Sequence, residues 1–381
     1  MAQRKIKKPN RWSSIFLQLG IGAVAGLVIG IGVALIFDRL QIKPSIWDFV
    51  LLFLLFIVGY FLQIIIHEAG HLIFGLLSGY HFLSFRVGSI TLVHLNGTWQ
   101  WKRFSIQGTG GQCLMIPPEN REKDCPYRLY NAGGVISNLI VSIFAALLFY
   151  LCNDIKYISY LSFGLMMSGI FIFLTNGIPM KIGGVGNDGY NIFQLEKDPI
   201  AKRGWYIQLK TNALLSEGKR MREFPLEWFE IEKNADFSNP IVASLKIQQG
   251  NWYLDSGEFE RAKQCYEELM EPDLHLMEIY KKELECELLF LEIITTRNLK
   301  KIQRMYNKQL KDYIKATKYY ISRKRLMYAY YKIMEKDVQK AAKSLVEFEK
   351  VAKTYPNLGE IRMERDLLKV IDRIEEEKAV E

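Results

Sequence analysis

The sequence predicts a mainly α-helical protein in two parts. A polytopic membrane bundle of about four spans, carrying a small cytoplasmic β-hairpin or sheet insertion, precedes a soluble α-helical-repeat domain. Three observations carry this expectation. Charge density changes abruptly near residue 195: residues 1–200 hold 16 Lys/Arg and 10 Asp/Glu, and the other 181 residues hold 34 and 31. Four apolar stretches in the first part reach the ~20 residues that a spanning helix needs. Between the second and third of them, β-branched and aromatic residues concentrate around an Asn96-Gly97 turn signal. The near-zero mean hydropathy of the chain therefore averages two unlike halves. The expected boundary is 1–200 for the membrane domain and 201–381 for the helical domain.

The spans fall at about 14–37, 47–77, 132–152 and 157–179, with the β insertion at 80–129. Arg4, Lys5, Lys7, Lys8 and Arg11 precede the first span, but its apolar run is longer than the ~7–15 residues of a signal peptide core and no cleavage site follows. A retained anchor is expected. Lys/Arg residues also gather in the 80–129 loop (Arg86, Lys102, Arg103, Arg121, Lys123, Arg128) and after the fourth span. The positive-inside rule then places both termini and that loop in the cytoplasm. Short loops and the lack of organelle signals point to a bacterial plasma membrane.

The net charge of +9 divides as +6 and +3 between the parts, too little in either to imply nucleic acid. Basic residues beside spans set topology and touch anionic lipid, so the expected partner is the bilayer. Cys113, Cys125, Cys152, Cys265 and Cys286 form no CxxC pair, which argues against a disulfide framework or a cysteine zinc site.

The second span carries an HExxH sequence, His67-Glu68-Ala69-Gly70-His71, flanked by Ile64-Ile65-Ile66 and Leu72-Ile73-Phe74. Glu68 is the one acidic residue well inside any span, and an intramembrane carboxylate is expensive unless it has a function. On a helix the two histidines share a face and can ligate one Zn²⁺. Glu68 would then serve as the general base that takes a proton from a water. A self-satisfied buried His/Glu cluster is the plainer alternative. A third ligand is needed, and Asp188 is the candidate, in a Gly- and Pro-rich segment closing the fourth span; a turn or N-cap role fits the same Asn187-Asp188-Gly189 equally well.

Taken together, His67–His71, Gly134-Val135-Ile136-Ser137-Asn138 and Asn176…Pro179…Asp188-Gly189 resemble the site-2 protease family of intramembrane zinc metalloproteases. The matched motifs fall within residues 60–195. The resemblance implies zinc held by His67, His71 and Asp188, with Glu68 as the catalytic base. It implies substrate contacts for Gly134 and Asn138, although Val135 stands where the family has proline and the Asn176–Asp188 interval is long. It also implies that Gly110-Gly111 and Gln112–Pro117 form a strand to which an unwound substrate adds. The expected function is zinc-dependent hydrolysis of membrane-embedded or membrane-associated peptides near the cytoplasmic face. The alternative is a non-catalytic membrane-anchored scaffold with a structural or vestigial metal site, which would have no use for Glu68.

In the soluble part, Gly250, Tyr253, Gly257, Phe259, Ala262 and Tyr266 fall at tetratricopeptide-like intervals, with weaker signs at Tyr331, Ala341-Ala342 and Pro356. A short stack of about three helix pairs is expected, able to bind a protein partner. The basic stretch Arg297–Arg325, with eleven Lys/Arg and one acid, reads as a solvated helix face or, alternatively, a contact with anionic lipid.

Overall fold

The computed structural model describes residues 11–380 apart from residues 42, 96, 105–108, 123, 153, 183–184, 233–234, 273 and 275. Several residues invoked above (Arg4, Lys5, Lys7, Lys8, Asn96 and Lys123) lie outside the described residues. The chain forms two compact units. One comprises residues 1–78 and 127–193, the other residues 79–126 and 194–381. The break at 193/194 lies close to the expected boundary, but the β insertion groups with the C-terminal helices.

The first unit contains α1 (Arg11–Arg39), α2 (Ile46–Leu77), α3 (Tyr127–Leu151) and α4 (Lys156–Gly177). A two-residue ribbon follows, β5 (Lys181–Ile182) paired with β6 (Val185–Gly186), and then α5 begins at Asp188 (Asp188–Lys197). Among the described residues, α2, α3 and α4 are long and apolar enough to cross a membrane. The expected span at 14–37 is helical as α1, but it is not among these three, so four spans are not established.

Two of these helices, α2 and α3, bury polar residues and expose large apolar ones. On α2, Phe53, Phe61 and Ile73 are exposed while Gln63, His67, Glu68 and His71 are buried. On α3, Ile143, Phe144 and Leu147 are exposed while Asn131, Asn138 and Ser142 are buried. In water this arrangement would be costly, because apolar area is worth roughly 25 cal/mol per Å² when hidden. It is compatible with a membrane protein.

Glycines set how closely these helices approach. A Cβ on Gly133 would lie 2.5 Å from the Gly70 carbonyl oxygen, and one on Gly164 would lie 3.0 Å from the backbone of Leu55. Small residues at helix crossings are the usual means of close packing where lipid removes the hydrophobic drive. At one end of α2 a polar cluster ties it to α4. Lys156 Nζ lies 2.7 Å from Asp48 Oδ1, the Tyr160 hydroxyl donates to the same oxygen at 3.0 Å, and the Ser45 amide and hydroxyl donate to Asp48 Oδ2.

In the second unit, β1 (His81–Val87), β2 (Ile90–Leu95), β3 (Thr98–Arg103) and β4 (Gly111–Ile116) form an antiparallel sheet in the order β3-β2-β1-β4. The stretch 82–93 is two strands because Gly88, at φ +58°, turns the chain between Val87 and Ile90. Leu83, Val93 and Leu95 pack with Ala213 of α6 (Pro199–Ser216), which is why the sheet belongs with the helices. Phe104, just after β3, inserts among Tyr319, Tyr320 and Tyr355.

The remaining helices are α7 (Pro240–Asp255), α8 (Phe259–Leu269), α9 (Glu278–Ile294), α10 (Leu299–Met305), α11 (Lys308–Ala316), α12 (Ile321–Ala329), α13 (Val338–Ala352) and α14 (Leu358–Val380). α7 and α8 form a helix pair in which Gly250 faces the Tyr266 ring, Ala262 and Tyr266 are fully buried and Gly257 turns at φ +79°. Of the residues singled out above, Gly250 and Tyr266 thus meet across this pair, although a repeat array is not shown. The basic stretch 297–325 needs a correction. Arg323 and Arg325 are not on a solvated face or free for lipid; both are fully buried, paired with Glu283 and with Glu287 and Glu364. Charge counting cannot see that a guanidinium is paired inside.

Gly133→Ala is expected to destabilise the helix bundle by about 1–3 kcal/mol, as overpacking does. Gly30→Ala, where nothing lies within 4 Å of the added methyl, is expected to be neutral or stabilising. Thermal unfolding in detergent, with both variants beside the parent, checks the contrast.

Candidate metal centre

Helical geometry brings His67 and His71 together, one turn apart on α2. Their Nε2 atoms are 3.2 Å apart. Asp188, the first residue of α5, sets its Oδ2 3.0 Å from His67 Nε2 and 3.5 Å from His71 Nε2. These three residues form the one group of its kind identified among the described residues.

The hydrogen bonds behind the imidazoles decide what faces inward. His71 Nδ1 lies 2.8 Å from the Tyr130 carbonyl oxygen, which can only accept. His67 Nδ1 lies 2.7 Å from Asn138 Oδ1. Asn138 is held in that orientation because its Nδ2 donates to the Gln63 carbonyl oxygen at 2.8 Å and to Gln63 Oε1 at 2.7 Å. Gln63 in turn donates from Nε2 to the Leu165 carbonyl oxygen at 3.1 Å. Each Nδ1 therefore carries its proton, and in the neutral imidazole each Nε2 presents a lone pair.

Two nitrogen lone pairs and a carboxylate oxygen thus converge in a buried place. Asp188 Oδ2 is itself buried without a hydrogen bond of good geometry. Three acceptors turned on one another repel unless a cation lies among them, and one proton can bridge only one of the three contacts. The separations fit a metal. Bonds of ~2.0–2.1 Å in tetrahedral geometry place ligand atoms about 3.3 Å apart, close to the 3.0, 3.2 and 3.5 Å found. Two imidazoles and a carboxylate suit a borderline ion such as zinc, without excluding other divalent metals.

The surrounding backbone makes room for this arrangement. A Cβ on Gly134 would lie 2.6 Å from the His67 ring, so this glycine admits the imidazole. Asn187 positions Asp188: its Nδ2 donates to the Thr175 and Ile178 carbonyls at 2.7 and 2.6 Å, and its Oδ1 accepts from the Met180 and Tyr190 amides at 3.1 and 2.9 Å. The capping role open to Asp188 thus falls to Asn187, which leaves the aspartate to face the histidines. The ribbon β5–β6 absorbs the long interval after α4 by folding back, with Asn187 N donating to the Met180 carbonyl at 3.1 Å.

Glu68 is buried beside His67, close enough for its charge to act on the His71 imidazole. Gly134 and Asn138, read above as substrate contacts, both lie against His67. Asn138 is fully buried and both ends of its amide are engaged in holding His67 and Gln63, while Gly134 abuts the His67 ring. Gln63 and Tyr130 belong to the site without having been expected there. Gln63 was visible as the one amide in the apolar run of α2, a turn before His67. Tyr130 acts through its carbonyl, which no side chain signals.

No family model matches this chain, and neither a curated protein nor a solved structure matches it.

Asn138→Ala is expected to weaken divalent metal binding about 10- to 100-fold, the usual effect of losing a residue that orients a ligating histidine, with helicity retained. Asp188→Ala is expected to abolish the tetrahedral Co²⁺ absorption of the parent. Chelator competition and visible spectra on detergent-purified protein check both.

Proposed function

We propose that this protein is a zinc-dependent endopeptidase that cleaves membrane-embedded or membrane-associated peptides, with its centre inside a bundle of spanning helices. The observation that carries the reading is the convergence of His67, His71 and Asp188 on one buried point, directly beside Glu68. A purely structural ion is usually enclosed by four protein ligands, whereas three leave a position for water or substrate.

Zinc in this place would supply Lewis acidity to a peptide carbonyl and lower the pKa of a water. Glu68 takes the proton of the attacking water and passes it to the leaving amine. His67 and His71 hold their positions through Asn138 and the Tyr130 carbonyl, so neither imidazole has to reorient during the reaction. The apolar outer faces of α2, α3 and α4 keep the centre away from bulk water.

In this reading α1 is a fourth span, and both termini and the sheet are cytoplasmic, in a bacterial plasma membrane. The sheet supports a role in substrate capture, because β4 is an edge strand and includes the segment from Gly111 to Ile116. A peptide bond in a helix is shielded by its own hydrogen bonds, so an unwound segment adding to an edge strand would expose it. The α7–α8 pair and its neighbours, in a tetratricopeptide-like stack, would recruit substrate or a protein partner.

Glu68→Gln is expected to retain metal and to lose at least ~10²-fold in cleavage rate. Membrane proteomes of cells carrying the parent and Glu68→Gln proteins should differ in peptides that accumulate uncut in the variant. Identical proteomes from the two, with both proteins expressed and metal-loaded, would overturn the assignment.

A further inference from the structure

The helical unit contains a partly open cavity of about 250 Å³, remote in sequence from His67 and Asp188. Glu283, Glu287, Glu360 and Glu364 line it, and among the described residues no Lys, Arg or His does. Two guanidiniums serve three of these four carboxylates. Arg323 pairs with Glu283, and Arg325 donates to Glu287 and lies 2.8 Å from Glu364 Oε2. Glu360 accepts from the Tyr355 hydroxyl at 2.8 Å.

Glu364 shares its guanidinium, that of Arg325, with Glu287. Only 1 % exposed, its Oε2 makes no hydrogen bond of good geometry and has the Arg325 Nε contact alone. The other walls bring two further features. Ile247, Leu254 and Leu284 are apolar, and Asn212, Gln248 and Asn251 bear amides. A cationic head on an apolar stem, attached to a peptide backbone, meets all three kinds of wall.

We propose that this cavity binds an arginine or lysine side chain of a peptide, its cation placed against Glu364 and Glu360, its methylenes against Ile247 and Leu284, and its backbone amides facing Gln248 and Asn251. The inference does not depend on the peptidase reading. A bare divalent ion would leave most of the cavity and its apolar wall unused.

The electrostatics agree with this occupant. Burial, reinforced by the charges of Glu287 and Glu360 and opposed by Arg325, pushes the Glu364 carboxyl up to about 8, and burial raises Glu360 as well. The groups facing Glu364 are Glu287 of α9, Arg323 and Arg325 of α12, Glu360 of α14 and Tyr266 of α8. A bound cation favours the ionised carboxylate, so it expels a proton below about pH 8, and affinity rises as pH climbs through that value.

The test is isothermal titration of the full-length protein in detergent with the peptide acetyl-Gly-Arg-Gly-amide. Its citrulline counterpart, of the same shape without the charge, is the control. The expected result is binding of the arginine peptide with a buffer-dependent heat at pH 7 that reports proton release. The citrulline peptide should bind at least about tenfold more weakly, and Glu364→Gln should weaken the arginine peptide about tenfold, as loss of one charge-assisted hydrogen bond does. The proton release of the parent protein stands as evidence even where the variant is unstable. Absence of binding, equal binding of the citrulline peptide, or binding without proton release would overturn the proposal.

Discussion

Three hydrogen-bond acceptors turned on one another, in a helix bundle whose outer surface is apolar, are the constraint on which the first unit depends. His67 Nε2, His71 Nε2 and Asp188 Oδ2 lie 3.0–3.5 Å apart, a group that could hold a metal ion, and the backbone is arranged to keep them there. Gly134 gives the His67 ring its place, and Gly70 and Gly133 let α2 and α3 approach until the Tyr130 carbonyl and Asn138 amide reach the two Nδ1 atoms. Asn187 satisfies four backbone groups and so aims the residue that follows it. A residue that orients a ligand is worth nearly as much to such a centre as the ligand itself. The relay from Leu165 through Gln63 and Asn138 to His67 is of that kind.

The second unit buries charge by a different means. Arg323 and Arg325 are fully enclosed, a state tolerated only when paired, because an unpartnered buried charge costs several kcal/mol. Their partners Glu283, Glu287 and Glu364 also line the cavity, so the pairs that hold α9, α12 and α14 together also shape its acidic wall. Packing and candidate recognition are thus built from the same side chains. The cavity keeps carboxylates in excess of guanidiniums, and that surplus is what a cationic side chain would complete.

Much of the local order was legible beforehand. The expected spans at 47–77, 132–152 and 157–179 match α2, α3 and α4 to within a few residues, because a long apolar run in this context has helix as its one way to satisfy backbone groups. The sheet was legible in outline, but its turn at Gly88 was not, and its packing on α6 groups it with the C-terminal helices. The basic stretch misled for a related reason: Arg323 and Arg325 are charged in any count, and only their partners forty or so residues away tell that they are inside.

The sequence by itself determined that His67, Glu68 and His71 share one region of a helix, since spacing along a helix is set by its period. It also determined that the chain has an apolar half and a charged half. Only the tertiary structure decided that Asp188 faces the histidines and Asn187 caps the helix. It also decided that Asn138 orients His67, and that four glutamates from two helices face one cavity. Each of these depends on residues far apart in the chain reaching hydrogen-bond distance, and such distances follow from how helices pack, which no local period encodes.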